Sequence, residues 1–103
     1  MDLGIKGKTA LITASSGGMG RNIAHALAAE GVNVVLFARS ADKLQAVADE
    51  IEQQHGVKAL AVPGNMLVRA DVERLASTLR QHGGGPDIVV LNTSRPPTRS
   101  APR

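Results

Sequence analysis

The chain has 103 residues, of which 43% are hydrophobic and 20% charged, and this composition indicates one small soluble globular domain rather than a disordered chain. It has no cysteine, which excludes disulfides and thiolate ligands and fits a reducing, cytoplasmic environment. The net charge of +3 comes from Arg95, Arg99 and Arg103, so nucleic-acid binding is not favoured, and no apolar run is long enough to cross a membrane.

The first half of the chain alternates strand and helix patterns. Residues 9–13 form a short apolar run that predicts a buried strand, and a turn with three glycines follows over residues 14–20. The Ala-rich residues 21–30 predict a helix that Gly31 ends, and residues 32–38 predict a second buried strand. Together these segments predict a βαβ unit.

The second half of the chain continues the same alternation. Ser40 is predicted to cap a helix through its hydroxyl, and apolar residues at helical spacing continue to about His55. Residues 58–62 predict a third strand, and the helical spacing returns over residues 72–79. Residues 87–92 are nearly all apolar and predict a fourth strand.

The complete pattern, β-α-β-α-β-α-β with strands apolar on both sides, predicts an α/β fold. We expect a Rossmann-type parallel sheet with strand order 3-2-1-4 and helices on both faces. Residues 1–92 are predicted to form a truncated dinucleotide-binding domain, and the Pro/Arg-rich residues 93–103 a disordered tail. The open edge at strand four and a sparsely covered face predict self-association.

The turn between the first strand and the first helix carries the main functional signal. Glycines at this place let the backbone approach a phosphate, and the free N–H groups of the helix then bind the anion. Ser15 and Ser16 are interpreted as phosphate or turn contacts rather than nucleophiles, because no histidine is placed to activate them.

Other polar residues are given structural interpretations. The three histidines are expected at the surface or at helix ends rather than as metal ligands, because no carboxylate pattern accompanies them: His25, His55 and His82. Three acidic residues of the second helix are expected to form a solvated face rather than an acid–base pair: Asp49, Glu50 and Glu52. No metal site is predicted.

The turn sequence over residues 13–20, TASSGGMG, resembles the coenzyme motif Thr-Gly-x-x-x-Gly-x-Gly of the short-chain dehydrogenase/reductase family. Two of the three glycines match, and Ala14 replaces the first one. The resemblance covers nearly the whole chain and implies that the following residues contact a coenzyme: Thr13, Ser15, Ser16, Gly18, Met19 and Gly20.

The residue after the second strand bears on the choice between NAD and NADP. Family members that favour NAD carry an acidic residue at the end of this strand, where it holds the ribose hydroxyls. This chain has Ala38 followed by Arg39 and Ser40, which is similar to the NADP-preferring members. The resemblance therefore implies that Arg39 and Ser40 bind the 2′-phosphate of NADP.

Two further positions of the family pattern follow the third and fourth strands. The family usually places an Asp against the adenine after the third strand, and Asn65 stands there with Met66 beside it. Asn92 matches the first position of the family sequence Asn-Asn-Ala-Gly, whereas the next residues depart from it and include Arg95. The resemblance implies coenzyme contacts from Asn65, Met66 and Asn92.

The catalytic residues of the family, a Ser and a Tyr-x-x-x-Lys motif, lie beyond the fourth strand, and this sequence has no tyrosine. The resemblance thus implies the NADP(H)-binding half of an oxidoreductase, similar to 3-oxoacyl reductases, without a general acid. We expect no catalytic residue in this chain and no carbonyl reduction by it alone. Two alternatives remain: a nucleotide-binding or regulatory module that pairs with another subunit, and a non-binding remnant whose basic tail contacts an acidic partner.

Overall fold

The computed structural model describes residues 4–13, 18–82 and 85–91. Strands and helices alternate along these residues in the predicted order, β-α-β-α-β-α-β. Their bounds are β1 (Thr9–Thr13), α1 (Gly18–Ala29), β2 (Asn33–Ala38), α2 (Ala41–His55), β3 (Ala59–Pro63), α3 (Arg69–Gln81) and β4 (Ile88–Val90). In these residues no helix is both long and apolar enough to cross a membrane.

The four strands form one parallel sheet in the order β3-β2-β1-β4, which confirms the predicted order 3-2-1-4. In the register of the sheet, Thr13 lies beside Phe37, and Ala38 lies beside Pro63. The carboxyl ends of β1, β2 and β3 therefore meet at one edge of the sheet. The loops that follow them start close together, as in other open α/β sheets.

Helices cover both faces of the sheet, as the sequence predicts. On one face, α1 and α2 pack through Ala24, Leu44 and Ile51 against inward-facing residues of β1 and β2. On the other face, Leu75 of α3 packs against Phe37 and its neighbours. Strand residues alternate between the two faces, which is why β1 and β2 are apolar at nearly every position and buried throughout their interior.

Three element bounds differ from the sequence predictions. The first helix begins at Gly18 rather than at residue 21, because the last two motif glycines already adopt helical backbone. The third helix begins at Arg69, before the helical spacing of apolar residues starts at residue 72. The sequence pattern misses this first turn because it lacks a large apolar residue. The last strand covers only Ile88–Val90; the preceding Asp87 instead uses its carboxylate to accept a hydrogen bond from the Thr9 N–H at 2.9 Å.

The start of α2 corrects a second detail. Ser40 occupies the N-cap position, as predicted, and its backbone carbonyl accepts the N–H of Leu44 at 2.9 Å. Its hydroxyl makes no capping hydrogen bond, so that part of the prediction is wrong. The acidic side chain of Asp42 lies in the first turn, where its negative charge interacts favourably with the positive end of the helix dipole. At the other end, Gly56 terminates the helix in the left-handed conformation with φ 70°.

Candidate functional site

The carboxyl edge of the sheet brings together the predicted residues that the structure describes. Thr13 ends β1 and is buried, and its hydroxyl donates to the carbonyl of Val90 at 3.5 Å. This contact connects the ends of the neighbouring strands β1 and β4. Ser15, Ser16 and Asn92, which the sequence also assigns to the site, lie outside the described residues.

The N-terminus of α1 lies directly after β1 and is suited to an anion. Its first turn contains no acidic residue, whereas the first turns of α2 and α3 contain Asp42 and Asp71. The positive end of its dipole is therefore not neutralised by its own side chains. Gly18 is exposed, and a methyl group added to it would meet no atom of the described residues within 4 Å. The backbone at this helix start is thus accessible to a ligand.

The other two motif residues of α1 have different environments. Gly20 is buried within α1. Met19 points outward and is 69% exposed, although methionine is an apolar residue. An exposed apolar side chain beside an open helix N-terminus is consistent with a contact to a ligand at this edge.

Arg39 stands at the end of β2, the strand next to β1. It is exposed, and its guanidinium makes no hydrogen bond or ion pair in the part of the chain that the structure describes. The preceding Ala38 is buried, so no carboxylate occupies the end of this strand. Ser40 is half-buried beside it. Among the described residues, this edge therefore offers a cation without a partner at the end of the strand that neighbours β1.

The turn between β3 and α3 holds Asn65 firmly. The Asn65 N–H donates to Asp71 Oδ2 at 2.9 Å, and the Asn65 carbonyl accepts the Val68 N–H at 2.9 Å. Its side-chain Oδ1 also accepts the Leu67 N–H at 2.8 Å, which closes an Asx turn. Met66, next to Asn65, is 48% exposed. The turn thus fixes one polar side chain and presents one apolar side chain at the edge.

Two residues that sequence reasoning did not select support this turn. Gly64 donates its N–H to the Ala38 carbonyl at 2.8 Å and lies so close to Phe37 that a larger residue would overlap the ring. Asp71 also accepts a hydrogen bond from Arg74 at 3.0 Å, and its contacts with the Asn65 N–H and with Arg74 lower the pKa of its carboxyl. The pair Pro63-Gly64 indicates a turn in the sequence. Nothing in the sequence indicates that Asp71 supports this turn.

The interface between α1 and α2 corrects the interpretation of His25 and of Glu50. Arg21 binds both carboxylate oxygens of Glu50 at 2.7 Å, and His25 Nε2 lies 2.8 Å from Glu50 Oε1. His25 Nδ1 also lies 3.0 Å from His55 Nε2. Glu50 is therefore not part of a purely solvated face, and His25 is not without a carboxylate. Residues that are distant in sequence meet here because α1 and α2 share one face of the sheet.

This cluster is electrostatic rather than metal-binding. The hydrogen bonds from Arg21 lower the pKa of Glu50 most, and those from His25 lower it further. No group of three or more His, Asp or Glu side chains among the described residues is arranged to hold a metal ion. The cluster joins α1 to α2 and includes no residue at a strand end.

Comparisons with known proteins identify the family. The short chain dehydrogenase family profile matches residues 8–102. The chain belongs to the short-chain dehydrogenase/reductase family. Among solved structures it is similar to the L-sorbose reductase of Gluconobacter frateurii, which was crystallised with NADPH and L-sorbose. That similarity has 37% sequence identity and a TM-score of 0.91, and it covers 97% of this chain and 38% of the reductase.

Curated members of the family are also similar to this chain. The 3-oxoacyl-(acyl-carrier-protein) reductase FabG of Aquifex aeolicus is 36% identical over 89% of this chain and 37% of its own length. The very-long-chain 3-oxoacyl-CoA reductase of Meyerozyma guilliermondii is 45% identical over 72% of this chain and 22% of its own length. The chain thus spans less than two fifths of these short-chain dehydrogenases.

Proposed function

We propose that the chain binds NADP(H) as the coenzyme half of a short-chain dehydrogenase/reductase. The observation that carries the proposal is Arg39 at the end of β2, a cation that makes no hydrogen bond or ion pair among the described residues and that follows Ala38 rather than a carboxylate. A 2′-phosphate in this position gains a charge-assisted hydrogen bond, whereas an acidic residue would repel it. The NADPH in the similar L-sorbose reductase structure supports the choice of coenzyme.

In the proposed complex, different residues of the site bind different parts of the coenzyme. The pyrophosphate lies at the open N-terminus of α1, near Gly18, because free N–H groups and the helix dipole attract it. Arg39 and Ser40 bind the ribose 2′-phosphate. Asn65 and Met66 contact the base, the first through hydrogen bonds and the second through its exposed apolar surface. Thr13, Ser15, Ser16 and Asn92 keep the coenzyme-binding roles that the family resemblance implies.

The chemistry of the family is hydride transfer between a nicotinamide coenzyme and a carbonyl or alcohol. The similarity to two 3-oxoacyl reductases favours an acyl-linked ketone as the substrate of the parent oxidoreductase. Reduction also needs an acid that protonates the developing alkoxide. Since the 103 residues contain no tyrosine to do this, we propose that they bind coenzyme without reducing a ketone by themselves.

A second candidate is a nucleotide-binding module that pairs with another subunit or with a second copy of itself. The observation that favours it is β4, which stands at the end of the sheet. Val89 in β4 is 53% exposed and Leu91 after it is 72% exposed. An apolar strand at a free edge favours association. The division into a domain over residues 1–92 and a tail over residues 93–103, and the cytoplasmic location, stay predictions.

The test is a titration of the purified chain with NADPH and, separately, NADH, followed by the fluorescence of the reduced nicotinamide. The chain has no Trp or Tyr, so its own emission is small. We expect saturable NADPH binding and weaker NADH binding. Arg39→Ala should reduce NADPH affinity about 10- to 100-fold, the usual effect of losing a charged hydrogen bond to phosphate, and should affect NADH much less.

Arg80→Ala is the matched control, because Arg80 is an exposed arginine in the last turn of α3, away from the strand ends. It removes the same charge and should leave both affinities unchanged. Equal affinity of the folded chain for NADPH and NADH would contradict the 2′-phosphate assignment. A folded chain that binds neither coenzyme would contradict the proposed function and would favour a regulatory module that pairs with another subunit, which analytical ultracentrifugation then tests.

A further inference from the structure

His25 and His55 connect α1 to the end of α2 through their ring nitrogens. His25 Nδ1 lies 3.0 Å from His55 Nε2, and the two rings meet edge to face with their centroids 5.2 Å apart. The other ring nitrogen of His25, Nε2, lies 2.8 Å from Glu50 Oε1. The side chain of His25 is 19% exposed, so water has limited access to replace these contacts. We call the pair of imidazoles, His25 and His55, the histidine joint.

The contact with Glu50 determines where one hydrogen of His25 lies. Arg21 binds both oxygens of the Glu50 carboxylate, and hydrogen bonds from Arg21 and then from His25 lower the pKa of that carboxyl. The carboxylate therefore stays ionised at the pH values where histidines titrate, and an ionised carboxylate only accepts hydrogen bonds. His25 Nε2 must accordingly carry a hydrogen and donate it to Glu50. The other nitrogen of His25, Nδ1, decides how the two imidazoles interact.

Only one hydrogen fits between the two imidazoles. At 3.0 Å, one nitrogen must donate and the other must accept through its lone pair. If His25 is neutral, its Nδ1 accepts from His55 Nε2–H, and His55 is either neutral or a cation. If His25 is the cation, its Nδ1–H donates to His55 Nε2, and His55 must then be neutral. Two cations would place two N–H groups against each other, so the closed joint holds at most one proton beyond those of two neutral rings.

The surroundings of the joint offer no second anion to hold another proton. Arg21, the other charged residue of α1, is a cation, and the Glu50 carboxylate is shared between Arg21 and His25. The strands that pack against the two helices, β1, β2 and β3, contain no titratable side chain. The remaining charged residues of α2 and of the adjoining loops make no hydrogen bond or ion pair with either imidazole in the described part of the chain: Glu30, Asp42, Lys43, Asp49, Glu52 and Lys58.

We propose that the histidine joint is a one-proton switch between α1 and α2, which is closed while the pair holds no more than one extra proton and is opened by a second. In the unfolded chain each imidazole binds a proton at about pH 6.5, so the unfolded chain takes up two protons where the closed joint takes up one. The stability of the fold must then fall as the pH falls through this range, because low pH favours the state that binds more protons. The switch lies in the helix interface and does not depend on coenzyme binding.

The experiment measures the equilibrium constant of unfolding in urea at pH 7.5 and at pH 5.5 by far-ultraviolet circular dichroism. With one proton of difference between the two states, we expect the constant of the wild-type chain to rise about tenfold over this interval. His55→Gln removes one imidazole but keeps an amide that can either donate to His25 Nδ1 or accept from it. The constant of this variant should rise less than about twofold, since His25 can then bind its proton in both states.

His82→Gln is the matched control. His82 is an exposed residue at the C-terminal end of α3, and its ring makes no hydrogen bond among the described residues. The substitution removes an imidazole of the same kind and should leave the tenfold rise unchanged. An equal rise in the wild type and in His55→Gln would overturn the proposal.

Nuclear magnetic resonance of the folded wild-type chain gives a second measurement that needs no variant. Long-range proton–nitrogen spectra report which ring nitrogens carry hydrogen, and Overhauser contacts report whether the two rings still touch. We expect a hydrogen on His25 Nε2 throughout, and a single proton taken up by the pair while the rings remain in contact. Two imidazolium rings that keep their mutual Overhauser contact at pH 5.5 would overturn the proposal, whatever the stability measurements show.

Discussion

Gly64 provides the sharpest test of how the β3–α3 turn is packed, because only glycine fits there. A methyl carbon added to Gly64 would lie 2.6 and 2.8 Å from two ring carbons of Phe37, and 3.2 Å from a guanidinium nitrogen of Arg74. Unstrained carbon atoms approach to about 3.5–4.0 Å, so the overlap with the ring is roughly 1 Å. Phe37 is 1% exposed and has no free space to move into.

The substitution Gly64→Ala should therefore destabilise the chain by about 1–3 kcal/mol, the usual cost of overpacking a core. A domain of this size has a free energy of unfolding of about 5–15 kcal/mol, so the variant should remain folded at low denaturant. The double variant with Phe37→Leu removes the ring that the new methyl group meets. In that background Gly64→Ala should cost less, with a coupling energy of about 0.5–3 kcal/mol.

The assay is urea unfolding followed by far-ultraviolet circular dichroism, since the chain has no Trp or Tyr to report by fluorescence. With a slope of about 1–2 kcal/mol per molar urea, the expected loss shifts the midpoint by roughly 1 M. Gly85→Ala is the control, because a methyl group at Gly85 would meet nothing within 4 Å. Equal midpoints for the two single variants, or no coupling with Phe37, would refute the packing argument.

Two further predictions concern a helix end and the ion pair between helices. Val68 is the N-cap of α3 and makes no capping hydrogen bond, so Val68→Ser should stabilise the chain by about 0.5–2 kcal/mol in urea unfolding, whereas Ser at Leu67, which is 91% exposed, should have little effect. Hydrogen bonds from Arg21 and then His25 lower the pKa of Glu50 in the folded state, so the stabilisation is present above the ordinary pKa of a glutamate and is lost as the pH falls through the lowered one. Glu50→Gln should flatten the acid limb of the stability profile, and an unchanged limb would contradict this.

Much of the fold follows from patterns that are local in the sequence. The apolar runs, the helical spacing and the stops at Gly31 and Gly56 predict the order of elements, and right-handed crossovers then predict the sheet order. The starts of the helices are harder to predict, because residue type alone does not determine whether a side chain caps a helix. Ser40 is a favoured cap residue whose hydroxyl makes no capping bond, and Val68 is a disfavoured one that occupies a cap.

The positions of the candidate site residues can be predicted from the sequence, whereas the contacts that hold those residues in place cannot. The ends of strands can be identified in the sequence, and this is sufficient to predict Arg39 and Asn65 as site residues. The contact between Asn65 and Asp71 depends on the shape of a turn, and that between His25 and Glu50 depends on two helices lying side by side. Such pairs lack a local signal, so single-sequence reasoning misses them.

The structure separates the groups that hold the fold together from the groups that face a ligand. Glu50 lies within α2 and joins it to α1 through Arg21 and His25. Arg39 makes no contact of this kind among the described residues. A change at Glu50 should therefore lower the free energy of unfolding with little effect on the NADPH affinity of the folded chain. Arg39→Ala should lower the NADPH affinity with little effect on the free energy of unfolding. Parallel effects of both variants on both quantities would mean that the helix interface and the strand ends form one coupled unit.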